Sequence, residues 1–173
     1  YREFYQCDFD TIGTNANAAD IETALVIHDI LQSLGFERFA IHVNNRLVLN
    51  GLLESLGLAE CADAILRALD KLQKIGAEKV VAEIAATASV PADQARHILD
   101  IVQVQGTNTT ILDQLEAQLG QHQLAAQGIS NLRQLLSAFS AAEIAEDRLV
   151  IDPSIARGLD YYTGTVYETI LDD

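Results

Sequence analysis

Ala156-Arg-Gly-Leu-Asp-Tyr-Tyr-Thr-Gly-Thr-Val-Tyr-Glu168 is the most informative stretch of the chain. From Tyr162 to Leu171, Thr163, Thr165, Tyr167 and Thr169 alternate with Gly164, Val166 and Ile170, which is the two-residue period of a strand. An arginine, a glycine and two tyrosines stand at the mouth of that strand. Glycine there allows positive φ or a close backbone approach. Arginine offers a permanent cation with a planar fork suited to carboxylate or phosphate. Just upstream, Arg148 to Asp152 has strand character and stops at Pro153.

Before that strand pair the texture is helical. Ala62, Ile65, Leu66, Leu69 and Leu72 form a stripe ahead of Gly76, and Ala95, Ile98, Leu99 and Val102 form another after Pro91. Leu112, Leu115 and Leu119 precede Gly120, and Leu132, Leu135, Leu136 and Phe139 follow Gly128. Nearer the start, Phe39 to Val43 reads as a strand, followed by a short helix over Leu49, Leu52, Leu53 and Leu56 that ends at Gly57. Asn17 is placed to cap an earlier helix with Asp20 at its third position, with Ile27, Ile30, Leu31 and Leu34 as the stripe and Gly35 as the stop. Arg2 to Asp10 reads as a further strand, with Phe4, Gln6, Asp8 and Asp10 on one face and Tyr5, Cys7 and Phe9 on the other. Gln6 and Asp10 then project together, about 13 Å of backbone apart. The order is sheet, helix, sheet, long helical block, sheet. An α+β fold follows, with an antiparallel sheet and flanking helices interrupted by an all-helical insertion. The expected divisions are 1–58 as core, 59–145 as the helical insertion and 146–173 as core.

Composition narrows the classes. The 173 residues are 49% apolar and 21% charged, enough for one folded domain carrying an insertion. The chain has no Met and opens on Tyr1, so an excised piece of a longer chain is expected. Eleven Lys and Arg against 25 Asp and Glu give a formal charge of −14, which repels phosphate backbones unless the basic residues are gathered. The helical block is the least acidic part, with 6 basic and 10 acidic residues, and Arg67, Lys71, Lys74 and Lys79 cluster within it. That cluster fits a solvated helix face or a phosphate contact. No apolar run is long enough to span a membrane, and no signal peptide stands at the start. Cys7 and Cys61 form no CxxC, which fits a reducing, cytoplasmic compartment. His28, His42, His97 and His122 lack ligand spacing, so no metal site is expected and each reads as a surface or interhelical side chain.

Tyr1 to Gly13 resembles the second half of motif 2 of class II aminoacyl-tRNA synthetases in its histidyl form. The 156–168 stretch is similar to the histidine-specific signature of histidyl-tRNA synthetases, and Phe39 to Leu56 and Ala68-Leu-Asp-Lys-Leu72 look like the same family in order and separation. The resemblance covers essentially the whole chain. It implies an enzyme that joins histidine to ATP, giving histidyl-adenylate and pyrophosphate, and then passes histidine to the end of tRNA(His). Carried over by position, Gln6 would meet the α-amino group of histidine and Asp10 its imidazole, Asp10 standing where many members have glutamate. Tyr162 would supply a second imidazole contact, Tyr161 would line the pocket, and Gly158 would permit its closure. Arg157 would lie beside the α-phosphate as the catalytic cation, and Arg2 would be either an ATP contact or a strand-end ion pair. The resemblance also implies ATP with Mg2+, a homodimer, and an insertion domain that meets the tRNA acceptor stem. Other family parts, including motif 1, a motif 2 arginine and motif 3, would lie outside this stretch, so this piece alone is expected to be inactive. The alternative is a non-catalytic relative, of the ATP phosphoribosyltransferase regulatory-subunit type or the synthetase-like region of a kinase. Retention of Arg157 favours the enzyme, because a sensor has no adenylation barrier to lower.

Overall fold

A computed structural model describes residues 2–157 and 162–171. Helix α1 (Asn17–Ser33) leads to strand β1 (Phe39–Asn45) and directly into α2 (Arg46–Ser55). A 3-10 turn at Ala59–Cys61 opens the helical part: α3 (Ala62–Leu69), α4 (Leu72–Ile75), α5 (Ala77–Ala88), α6 (Ala92–Val102), α7 (Asn108–Leu119) and α8 (Gln123–Ala141). The chain then returns through β2 (Leu149–Ile151) and β3 (Thr165–Leu171). The α+β class, with a sheet split in sequence by helices, is what the hydrophobic periods require.

The sheet order is β2-β1-β3. β1 and β3 run antiparallel, with His42 opposite Glu168 and Asn45 opposite Thr165, whereas β2 joins the other edge of β1 in parallel register, Val43 opposite Ile151. The sheet is therefore mixed, its antiparallel half being the expected one. A parallel partner needs a long crossover, and the helices between β1 and β2 supply it.

Residues 2–10 differ from the reading above. They form no strand and pair with no other strand among the described residues. Alternation describes which side chains share a face, but a strand persists only where a ladder satisfies its backbone. Phe4 on one presumed face and Tyr5 on the other are 83% and 103% exposed, so neither face has a surface to pack on. Asn17 is likewise not the cap of α1. Ala16 holds that position, and the Asn17 amide instead donates to the Asn131 carbonyl (3.1 Å) and to Gln134 Oε1 (3.0 Å), tying α1 to α8. The buried stripe of α1 is also rotated from the expected one. Ala24 and His28 are buried while Ile30 and Leu34 are exposed, because His28 fits between the rings of Phe39 (5.7 Å) and Phe139 (6.3 Å).

One contiguous apolar cluster runs from Ile41 and Val43 of β1 through Leu49, Leu52 and Leu53 of α2 to Leu132, Leu135 and Phe139 of α8 and on into α3, α5 and α6. Its tightest point is the crossing of α2 and α8. A Cβ on Gly51 would lie 2.6 Å from the Ala125 nitrogen, and one on Gly128 would lie 2.8 Å from Val48 Cγ2. Gly128 thus sits inside α8, where close approach offsets its poor helix propensity, and not ahead of the helix as the leucine pattern suggests. Gly51→Ala gains roughly 1 kcal/mol of helix propensity and loses about 1–3 kcal/mol to overpacking against atoms that cannot rotate away. A net loss of about 0–2 kcal/mol is therefore expected, read as a lowered midpoint in urea unfolding. An unchanged or raised midpoint would show that the two helices slide apart at little cost.

Candidate functional site

The site is built from the junction where β1 becomes α2. Asn44, Asn45 and Arg46 are consecutive polar residues with only 0%, 0% and 6% of their surface exposed. Such burial is tolerated only where each polar group finds a partner, and the partners lie far along the chain. The Asn44 amide donates to the carbonyls of Pro153 (3.0 Å) and Ile155 (2.9 Å). Asn45 accepts from the Leu47 N–H as the cap of α2 and donates to Thr165 Oγ1 (3.1 Å). Arg46 donates from its backbone N–H to Gly164 O (2.8 Å) and from Nη1 to Arg157 O (2.7 Å). These three residues brace both sides of the signature segment. No local pattern in the sequence marks any of the three as its supports.

Helix α1 holds the segment from the other side. Asp20 accepts from Thr165 Oγ1 (2.6 Å), and its carbonyl accepts from the Tyr167 hydroxyl (2.7 Å). Burial, reinforced by the Asp20 charge, pushes the Tyr167 hydroxyl well above its ordinary range, so it stays a donor. Asp20 was read from the sequence only as a helix-start residue; its link to Thr165 spans the whole insertion.

Two adjoining clefts open at this junction. One, of about 670 Å3, is lined by Asp10, Asn15, Asp20, Gln134 and Gly164 among others. The second, of about 430 Å3, is lined by Arg46, Asn50, Glu54, Asp63 and Tyr162. Leu47 and Thr163 line both, so the two adjoin. The exposed Arg157 carries its guanidinium carbon 5.8 Å from the centroid of the half-buried Tyr162 ring, within cation–π range. Asp10 and Tyr162 thus line adjoining clefts, and Arg157 stands beside Tyr162 without lining either. Gln6 and Arg2 are exposed and line neither cleft; the Gln6 amide donates to Asp8 Oδ1 (2.8 Å). Gly158 and Tyr161 lie outside the described residues. A larger cleft of about 710 Å3, between the start of α7 and the end of α8, contains none of these side chains, so volume is no guide to the chemistry.

Among the described residues no three His, Cys, Asp or Glu side chains gather as a metal cage. His42 packs beside Asp152, Nδ1 to Oδ2 at 3.1 Å, and Ser154 donates to Asp152 from both its N–H (3.0 Å) and its hydroxyl. Burial raises the Asp152 carboxyl, but His42 and Ser154 together outweigh it and hold the group below its ordinary range.

Comparison with known proteins gives this architecture its class. The fold is similar to that of the solved histidyl-tRNA synthetase from a Nostoc species, with a TM-score of 0.84 and 32% identity over 91% of this chain and 37% of that one. It also shares its fold with an ATP phosphoribosyltransferase regulatory subunit/histidyl-tRNA synthetase from Bacillus halodurans, TM-score 0.75 at 18% identity, over 92% of this chain and 41% of that one. The core is that of an aminoacyl-tRNA synthetase-like α+β protein. The histidyl-tRNA synthetase family profile matches residues 1–172, and the chain belongs to that family. It is 50% identical to the histidine–tRNA ligase of Rhodopirellula baltica over 100% of this chain, and 41% identical to that of Ruegeria pomeroyi over 99% of it. The chain spans only 39% and 38% of the length of those two relatives.

The lowered Asp152 carboxyl has a signed consequence. Its stabilising contribution is complete above the ordinary carboxylate range near pH 4 and is lost as the pH falls through the lowered value. Wild type is therefore expected to lose melting temperature more steeply than Asp152→Asn between about pH 5 and pH 2. Parallel acid limbs in a melting-temperature series would remove Asp152 from the acid transition.

Proposed function

We propose that this chain is the histidine-recognising part of a histidine–tRNA ligase. The observation that carries the reading is that Asp10 and Tyr162 line two adjoining clefts at the β1–α2 junction, with Arg157 against the Tyr162 ring. In the first step a carboxylate oxygen of histidine attacks the α-phosphorus of ATP, the bond to the bridging oxygen breaks, and pyrophosphate leaves. Charge grows on the α-phosphate oxygens, and Arg157 stabilises it there as a fixed cation. In the second step the terminal adenosine hydroxyl of tRNA(His) attacks the acyl carbon and AMP leaves.

Asp10 faces the imidazole as an acceptor for a ring N–H, and Tyr162 contacts the ring from the second cleft. An apolar side chain of similar size offers the exposed Asp10 carboxylate no N–H in place of the water it displaces, which is how such a site rejects it. Gln6 turns to the α-amino group, Tyr161 and Gly158 complete the pocket, and Arg2 reaches toward ATP; for these the support is the sequence match alone. Mg2+ enters with the triphosphate. The helical insertion 59–145 meets the acceptor stem, and α7 and α8 form its sheet-facing side. Within it Arg67, Lys74 and Lys79 are exposed and Lys71 is paired with Glu83 (2.5 Å), so the nucleic-acid contact is small and local. The reading carries a homodimer and a cytoplasmic enzyme with it. The likeness to the regulatory-subunit structure, at 18% identity, concerns the fold and gives no support to a non-catalytic role.

The test is histidine-dependent ATP–pyrophosphate exchange by the full-length protein. Arg157→Ala is expected to slow adenylation by roughly 100-fold or more with little change in histidine affinity. Asp10→Ala is expected to weaken histidine binding by roughly 10-fold or more. Exchange that does not depend on histidine would overturn the reading, and equal losses of rate and affinity in Arg157→Ala would reassign that residue to plain binding.

A further inference from the structure

We infer that Arg46 is a positioning residue that fixes both ends of the 157–164 segment and so sets where Arg157 and Tyr162 stand. The inference rests on the ligase reading for its kinetic consequence, but its geometry is independent of it. Arg46 is the first residue of α2 and is 6% exposed. Its side chain meets the segment at one end, Nη1 to Arg157 O at 2.7 Å, and its backbone meets it at the other, N to Gly164 O at 2.8 Å. The same side chain borders the cleft that Tyr162 lines. No other residue described here holds both ends.

The two anchors differ in kind. The Gly164 anchor is a backbone N–H and survives any non-proline substitution at position 46. The Arg157 anchor is a charge-assisted bond from a guanidinium that cannot lose its proton, buried where an unmade bond is costly. A substitution of the side chain therefore removes the bond at Arg157, the end that carries the proposed catalytic cation, and leaves the backbone bond at Gly164 in place. Asn44 and Asn45 keep their own bonds to Pro153, Ile155 and Thr165, so the sheet around the segment stays in register. The expected defect is a misplaced Arg157 in an otherwise intact fold, which slows a step needing that cation more than it weakens histidine.

The experiment compares wild type, Arg46→Met and Arg46→Lys in the full-length protein by two readouts. In histidine-dependent exchange, Arg46→Met should lose at least tenfold in kcat while KM for histidine moves less than about threefold, and Arg46→Lys, which keeps a charged donor, should recover part of the loss. In amide hydrogen exchange, residues 157 and 162–164 should exchange at least tenfold faster in Arg46→Met, with 39–45 unchanged. Unchanged protection at 157 and 162–164 overturns the inference, as does a uniform loss of protection, which would make Arg46 a general stabiliser. If Arg46→Met does not fold, Arg46→Gln, whose amide still donates, takes its place in both assays. If wild type shows no histidine-dependent exchange, the ligase reading falls, and the hydrogen-exchange pattern alone decides the role of Arg46.

Discussion

Three polar side chains are buried in succession at the end of the central strand, and a folded chain can hold them there only by bringing distant backbone to meet them. β1 has both edges paired, so Asn44, Asn45 and Arg46 have no route to water along the sheet. Their partners lie 109 to 120 positions downstream. The helices between must therefore return the chain to the place it left, whatever they do in between. Closing so long a loop costs little more than closing a short one, about 0.6 kcal/mol per doubling of length, which is why a helical insertion can sit between β1 and β2 without disturbing the register.

The return is guided by packing as well as by hydrogen bonds. α8 lies against α2 at two glycines, and α2 grows directly out of β1, so the last helix of the block is locked to the strand that the following segment must rejoin. Asn108 extends the same guidance to β2: its amide donates to Leu149 O (2.7 Å) and its carbonyl oxygen accepts from the Ile151 N–H (2.8 Å). Arg148 then fixes the approach to the strand through the carbonyls of Phe39 (3.0 Å) and Glu37 (2.6 Å), with its guanidinium over the Phe39 ring. The clefts lie at the end of this guided path, at the seam between α1, α2 and the start of β3.

What the sequence made legible follows from the range of the physics involved. The stripes of the helices after α1 and the strand over Phe39 to Val43 are local periods, and they appear in the structure close to where the periods place them, whereas the face of α1 is turned by His28. The 156–168 string is legible because its chemistry is written in adjacent residues. Arg46 and Asp20 are not, because each acquires its meaning from a partner more than a hundred residues away. The error at residues 2–10 has the same origin in reverse: Phe4, Gln6, Asp8 and Asp10 alternate correctly, yet alternation says nothing about whether a ladder partner exists. Asn17 failed as a cap because a stronger use was available across to α8, where its amide satisfies two acceptors.

The division of labour between the two arginines gives the acidic composition a different meaning. In a chain of net charge −14, a cation left exposed among carboxylates is readily neutralised by ion pairing. Arg46 is bonded inward to the Arg157 carbonyl, so its side chain holds the segment from within. Arg157 stacks on Tyr162, and a face contact with a ring leaves the in-plane N–H fork of a guanidinium available to an anion. Asp20 meanwhile accepts from Thr165, and Glu54 lies 3.5 Å from His122 Nε2, so two of the nearest carboxylates already have partners.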